Sequence, residues 1–455
     1  MPRGLSDPEE DTVNPDHDVA GQRRHGERQT GGPLARHPRL SLLIAALVSA
    51  SAVGLAAVLA KPSTTTSTSD SAQTQVSRPP APTRVQRAPS ETTTSTTGMT
   101  GTPLVGPSWA SANGSLEPAI PPSAVPDQFL NGIFSDELGP GWIAGDAAYS
   151  TTLPDGRVAF VFADTLIGTA QPNGAGAITG LAHSSELVGY LPHLATDYAG
   201  TYYSPATLIP DTLDGADTWQ MAATYVAGGK QLIFVNEFEP VPGGEFDTFV
   251  GQSGVAVMSV PAGGLPSLSS VIPLPTDPDT QWGNALMQSS GYMYVYGSDI
   301  NPTTHAVLGM KVARVPAGQT LDTNSWDYWN GSAWVGGESN AVAVPTVYQL
   351  TGVTPDPDGN GFLAVSVPGG VETDNTIDLS YASSPAGPWT APQPIYTIPQ
   401  ISQYKGEVAY MPTFHPELSS SDVLVVSYSI NTTLGLFATG QDVRSYQPQF
   451  LLLSG

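Results

Sequence analysis

From about Leu104 onward the chain is a succession of short alternating apolar runs, with no sustained 3.6-residue period anywhere in that stretch. RVAFVFAD, MAATYVAG, KQLIFVNEF, GVAVMSV, YMYVYGS, GMKVARV, GFLAVSV, IDLSYAS and VLVVSYSI each read as a strand, because β-rich runs are bounded by Gly, Pro, Asn or Asp. Many short strands with turns between them leave a sandwich, a barrel or a propeller. Spacing separates these. Units with room for three or four strands occupy 145–187, 202–273, 282–334, 352–399 and 407–453, each ending in a Pro- or Gly-rich crossing. Approximate strand-only repeats of about 40–50 residues are the mark of propeller blades. The expectation is an all-β, five-bladed β-propeller over 104–455, with a pair of β-sandwiches as the alternative.

The amino-terminal part has a different texture. Residues 1–39 mix charge, Gly and Pro without periodicity and read as a disordered head. Residues 40–60 carry no charge and are built mainly of Leu, Ala, Val, Ile, Ser and Gly. A bilayer core of about 30 Å needs about 20 such residues as a helix. Arg23, Arg24, Arg28, Arg36 and Arg39 precede this stretch and only Lys61 follows closely, so the head is expected in the cytoplasm and the rest outside. A cleaved signal would have an apolar core of about 7–15 residues, which favours an uncleaved transmembrane anchor. Residues 61–103 form a Thr/Ser/Pro-rich linker, about 35–40 Å across as a loose coil. The reading is of a single-pass membrane protein whose C-terminal domain is extracytoplasmic.

Charge narrows the ligand. From Leu104 to the end there are 6 Lys+Arg against 31 Asp+Glu, a difference of −25. Such a surface repels phosphate backbones and anionic lipid, so nucleic acid is not a partner. The domain's only arginines are Arg157, Arg314 and Arg444, too few for a site built to clamp an anionic sugar. A neutral ligand fits better. The chain has no cysteine, which excludes disulfides, thiolate metal sites and a cysteine nucleophile. No G-x-S-x-G, phosphate-binding glycine loop or H-E-x-x-H occurs.

The most informative segment is GDAAYSTTLPDGRVAFVFADT, 145–165. Pro154-Asp155-Gly156 is a strong turn signal between strand residues and predicts a hairpin. Asp146 lies nine residues before Asp155 and Asp164 nine after it, so the fold sets two carboxylates opposite each other at the open end. Like charges across a ladder normally cost stability. A one-residue register slip would send them to opposite faces. Two close carboxylates divide acid and base roles, because proximity raises one pKa while the other stays ionised. Glycoside hydrolysis requires that division. Backbone capping and calcium ligation are the other uses such a pair has.

The same segment resembles the first blade of actinobacterial five-bladed propellers related to glycoside hydrolases, a group long catalogued as a domain of unknown function. Its members include endo-D-arabinanases acting on mycobacterial cell-wall arabinan. The resemblance continues through QWGNALMQSSGYMYVYGSD, KVARVPAG, WDYWNGSAW, SYASSPAGPWTAPQPIYTIP and AYMPTFHPELSSSDVLVVSYSIN, in order along the outer domain. It implies that Asp146 and Asp164 are the catalytic carboxylates, and that the partner is a neutral cell-wall polysaccharide such as arabinan or arabinogalactan. Two departures stand out. Ala163-Asp164-Thr165 replaces the more usual Gly-Asp-Thr, and LAHSSELVG (181–189) stands where an Asn-Ser pair is more usual, making His183 a candidate pocket residue.

Other candidates come from the starts of units. Trp282 and Asn284 open the third, where Trp can stack on a sugar and Asn can bond hydroxyls; blade packing explains them equally well. His415 is a candidate for metal or substrate, against the commoner role of a buried structural histidine. Glu417 is a candidate third carboxylate. Tyr202 and Tyr203 are candidates for sugar stacking, with Tyr203 carried into the expected site. Trp326, Tyr328, Trp329 and Trp334 read as outer-blade packing. No redox cofactor or catalytic metal is expected, and a structural cation in the central channel is left open. The alternative function is a non-catalytic propeller that binds wall glycan or a protein.

Overall fold

In the computed structural model the described residues are 122–454, without 212–217, 241–246, 275–278, 302–306, 345–351, 368–374, 404–406 and 433–441. The expected head, membrane helix and linker lie outside them. Among the described residues, no helix is long and apolar enough to cross a membrane.

The described chain opens with β1 (Ser123–Pro126) and α1 (Gln128–Ser135). Asp127 starts the helix because its carboxylate accepts the otherwise unpaired amides of Phe129 and Leu130. The buried face of α1 sets Phe134 against Trp142, Phe160, Phe162 and Phe450.

Five successive antiparallel sheets follow. The first is β3 (Tyr149–Thr152), β4 (Val158–Phe162), β7 (Ser185–Tyr190) and β8 (His193–Asp197). Inserted into it is a separate sheet of β2 (Gly141–Gly145), β5 (Thr165–Ala170) and β6 (Gly176–Ala182), and a small hairpin of β9 (Ala199–Thr201) and β10 (Ser204–Ala206) comes after. The second sheet is β11 (Thr218–Ala227), β12 (Lys230–Pro240), β13 (Asp247–Ser259) and β14 (Ser267–Pro273). The third runs β15 (Thr280–Ser289), β16 (Tyr292–Ile300), β17 (Val307–Pro316), β18 (Asp327–Trp329) and β19 (Trp334–Gly336). The fourth is β20 (Gly352–Pro355), β21 (Phe362–Ser366), β22 (Thr376–Ala382) and β23 (Gln393–Thr397).

The fifth sheet is built from both ends of the described chain. Its strands are β24 (Glu407–Phe414), β25 (Leu424–Thr432) and β26 (Gln449–Ser454), and β1 pairs with β26 to complete it. The first strands are neighbours in turn: β3 beside β11, β11 beside β15, β15 beside β20, and β20 beside β24. Side chains of β3 and the fifth sheet then meet, as Ser150 does with His415. The arrangement is propeller-like: sheets in series, first strands innermost, and the last sheet sealed by the first strand. Two facing sandwich sheets are not what these residues form.

One irregularity recurs in the first strands. Register shifts fall between Met221 and Thr224 in β11, Trp282 and Ala285 in β15, and Tyr410 and Thr413 in β24. Positive φ marks the same places, at Gly283 (88°) and Met411 (53°), and Ala147 (77°) and Ala148 (50°) take that conformation just before β3. Such bulges re-aim side chains, and they are common next to functional sites. At Gly283 a Cβ would lie 2.3 Å from Cβ of Phe234. Gly283→Ala is therefore expected to destabilise the domain by roughly 2–4 kcal/mol, combining backbone strain with overpacking. Urea unfolding of the two proteins measures this.

Candidate active site

The hairpin of β3 and β4 turns over 153–157, where the Leu153 amide donates to the Arg157 carbonyl and Gly156, at φ +83°, closes the bend. Asp155 fixes the tip by accepting from Arg157 Nε and from the amide of Gly263, each at 2.9 Å. From there the register runs Thr152 opposite Val158 to Tyr149 opposite Val161. It survives the kink at Ala147 and Ala148. The Asp146 amide donates to the Asp164 carbonyl at 3.2 Å, and the Ala163 amide to the Asp146 carbonyl at 3.1 Å. Asp146 and Asp164 therefore stand opposite each other.

Both carboxyls are enclosed, with Asp146 1% and Asp164 0% exposed. Oδ2 of Asp146 accepts from the Tyr410 hydroxyl at 2.7 Å, and that hydroxyl accepts from Asn431 Nδ2 at 3.2 Å. Oδ1 of Asp164 lies 2.8 Å from His183 Nδ1. The remaining oxygens, Oδ1 of Asp146 and Oδ2 of Asp164, have no hydrogen-bond partner. Burial, reinforced by the charge of Asp164, pushes the Asp146 carboxyl up to about 8. A carboxyl raised that far holds its proton at neutral pH and can donate it. Tyr410 is itself pushed far up, by burial first and then by Asp146, so it stays a donor. The Tyr446 hydroxyl donates to the Asp164 carbonyl at 3.2 Å.

A third acid joins from the segment after β10. Asp211 is raised by burial, with His183 pulling it down and Asp164 pushing it up, which places it within electrostatic reach of both. Its Oδ1 is buried without a partner. The backbone strain at Ala147 and Ala148, two non-glycine residues at positive φ, lies directly beside the pair. Strain of that kind concentrates at functional sites.

Of the other candidates only His183 is brought to the pair. Trp282 is fully buried against Trp326 and Tyr328, and its indole donates to Glu338, so no face is left to stack on a sugar. Asn284 spends its side-chain amide on Ser298, and its main-chain carbonyl accepts from the Tyr149 hydroxyl at 2.8 Å. His415 is 0% exposed, bonded to Ser427 and Ser150 and packed on Phe450; burial lowers it to about 3, so it is a neutral core histidine. Glu417 accepts from Ser150 and faces a cavity of about 160 Å³ lined also by Thr224, Gln288 and Thr413, farther along β3 than the pair. Tyr203 is 85% exposed at the tip of the β9–β10 hairpin, edge-on to Tyr202. Tyr410, Asn431, Tyr446 and Asp211 escape the sequence reading. Tyr410 lies in the quoted AYMPTFHPELSSS run, but Asp211 carries no local signal at all.

The fold and site together define a propeller-like β domain with a buried, opposed carboxyl pair. The chain belongs to DUF5005, a domain of unknown function, whose family model matches residues 127–455. Comparison with curated proteins returns no match. Among solved structures, a protein from Bacteroides ovatus ATCC 8483, provisionally described as a hydrolase, shares 17% identity at a TM-score of 0.58, covering 72% of this chain and 90% of that one. That likeness shows a common fold. An exo-β-1,3-galactanase from Phanerochaete chrysosporium shares 13% at 0.38, over 69% of this chain and 63% of its own. A GH43_1 enzyme from Xanthomonas citri shares 15% at 0.36, over 70% and 91%. These two are too distant to carry an argument.

The raised Asp146 predicts a pH signature. An unfolded Asp titrates near about 3.9. Between about 4 and about 8 the folded chain then holds a proton the unfolded chain has lost, so this group makes stability fall as pH rises through that window. Asp146→Asn removes that slope and keeps an acceptor for Tyr410. Urea midpoints of the two proteins should diverge in the variant's favour as pH rises from about 4 to about 8, and level off above that.

Proposed function

We propose that this protein is a glycoside hydrolase acting on a neutral polysaccharide. The observation that carries the reading is the opposed Asp146–Asp164 pair, one member of which keeps its proton at neutral pH. Asp146 serves as the acid: it gives its proton to the glycosidic oxygen as the bond to the anomeric carbon breaks. Asp164, oriented by His183, attacks that carbon or takes a proton from the attacking water. Asp211, within electrostatic reach of His183 and Asp164, is the third acid of the site.

Neutrality of the substrate rests on what the cations do. Arg157 is paired with Asp155, Arg444 with Asp442, and Arg314 with Asp327 while stacked on Tyr292 and Trp334. No arginine of the outer domain is left to hold a sugar carboxylate. Arabinan or arabinogalactan of a cell wall is the leading substrate on the sequence resemblance, and the five successive sheets are taken as five blades around the site. We further place the domain outside the cell, tethered through residues 40–60 and held off by 61–103.

The near-complete burial of both carboxyls favours a second reading, in which the pair is structural and the propeller binds glycan without cleaving it. One assay separates the two. Purified chain incubated with arabinogalactan is expected to release reducing sugar, and Asp146→Asn to lower the rate by about 10²–10⁴-fold. A folded wild type that binds the glycan and releases nothing would establish the binding reading instead.

A further inference from the structure

Away from the candidate active site, the first and second sheets enclose another acidic pair. Glu186 in β7 stands directly across the ladder from Asp197, the last residue of β8. Glu186 is 0% exposed and Asp197 is buried as well. From the facing sheet, Gln231 in β12, also fully buried, donates its Nε2 to Glu186 Oε1 at 2.6 Å. That bond brings the carboxamide of Gln231 to the edge of the Glu186 carboxylate. These three neighbouring side chains leave three oxygens over, Oε2 of Glu186, Oδ2 of Asp197 and Oε1 of Gln231, each buried and each without a hydrogen-bond partner.

Three orphaned oxygens from three side chains ask for a common answer. A buried polar atom without a partner costs about 1–3 kcal/mol, and more if charged. Like charges across a ladder add to that cost. A proton held between the two carboxyls, which burial favours by raising Glu186 to about 8 and Asp197 to about 6, would answer two of these oxygens and leave that of Gln231; a cation answers all three. We propose that Glu186, Asp197 and Gln231 form a binding site for a divalent cation of the calcium type, which joins the first sheet to the second.

The donor chemistry selects the ion. Carboxylate and carboxamide oxygens suit hard cations, and the site contains neither imidazole nor thiolate, which zinc and copper prefer. Two carboxylates balance one divalent charge, whereas sodium or potassium would leave a buried negative charge. Calcium tolerates irregular oxygen sets and completes its shell with water or backbone carbonyls; magnesium demands near-ideal octahedral geometry. Among the described residues no group of three or more His, Cys, Asp or Glu side chains is placed to hold a metal ion. This site reaches three donors only by adding a carboxamide to two carboxylates. Two formal charges place the affinity in the weak range typical of extracellular modules, about 0.1–1 mM.

The position gives the ion work to do. Asp197 ends β8, and from it the chain runs through the β9–β10 hairpin to Asp211, beside the Asp146–Asp164 pair. A cation on Asp197 pins the start of that segment. The inference does not depend on the proposed hydrolase activity, since it concerns a site between sheets and is read by binding alone.

Calorimetric titration of the chelator-treated full chain with CaCl₂ tests it, alongside thermal melts and an MgCl₂ arm. The expected result is one calcium per chain with weaker magnesium binding, and a melting temperature higher by about 4 °C at 100 times Kd. In Glu186→Gln and in Asp197→Asn the affinity should fall at least tenfold. The order of stability should also reverse. Without calcium each variant should melt at or above wild type, having lost one member of a buried carboxyl pair, and with saturating calcium each should melt below it. A folded wild type whose melting temperature ignores calcium would overturn the proposal. So would calcium binding that both variants retain in full, because the ion would then sit elsewhere on an acidic surface. Should one variant fail to fold, the other and the wild-type melts still decide.

Discussion

The register of the β3–β4 hairpin is the constraint on which the rest of the site depends. Its turn is fixed by the Leu153–Arg157 bond and by Asp155, which is held from both sides by Arg157 and Gly263. A slip of one residue would turn one carboxyl to the other face of the sheet. With the register kept, Asp146 and Asp164 meet in a buried space that cannot stabilise two full negative charges side by side. Burial, reinforced by the neighbouring Asp164, then sets Asp146 apart as the member that holds a proton. The neighbours follow that division: Tyr410 donates to Asp146, and His183 lies against Asp164.

The sheets supply what the hairpin cannot. Tyr410 reaches Asp146 from the fifth sheet, which β1 completes by pairing with β26. Closure of the ring and assembly of the site are therefore linked, because the partner of Asp146 comes from the sheet that seals the domain. Bulges in β11, β15 and β24 contribute in the same sense. Tyr410 is the last residue in register before the shift in β24, so the irregularity helps set where its hydroxyl points.

Much of this was legible in the residues, for physical reasons. Period-two alternation marks strands wherever one face is buried, and the units read at 282–334, 352–399 and 407–453 coincide closely with the third, fourth and fifth sheets. Pro154-Asp155-Gly156 gave the register of the hairpin because a turn of that chemistry leaves few alternatives. The inserted sheet of β2, β5 and β6 was not legible, since GWIAG, TLIGTA and GAITGLA carry no clear alternation. Nor was the fate of Trp282 and His415. Trp282 borders a bulge, where strand parity no longer says which face a side chain takes, and His415 lies just past the end of another bulged strand. Asp211 reaches the pair through a long connection that no local pattern announces. The Glu186 site was invisible for a further reason: its three donors come from three strands in two sheets.

The account stands on Asp146 holding a proton at neutral pH. Infrared difference spectroscopy of wild type against Asp146→Asn reads this directly, through the carbonyl stretch of a protonated carboxyl. The band should be present at pH 7, absent from the variant, and should fade as pH passes about 8. Its absence from the wild type at pH 7 would mean that Asp146 is ionised beside Asp164, and the division of acid and base roles would fail with it.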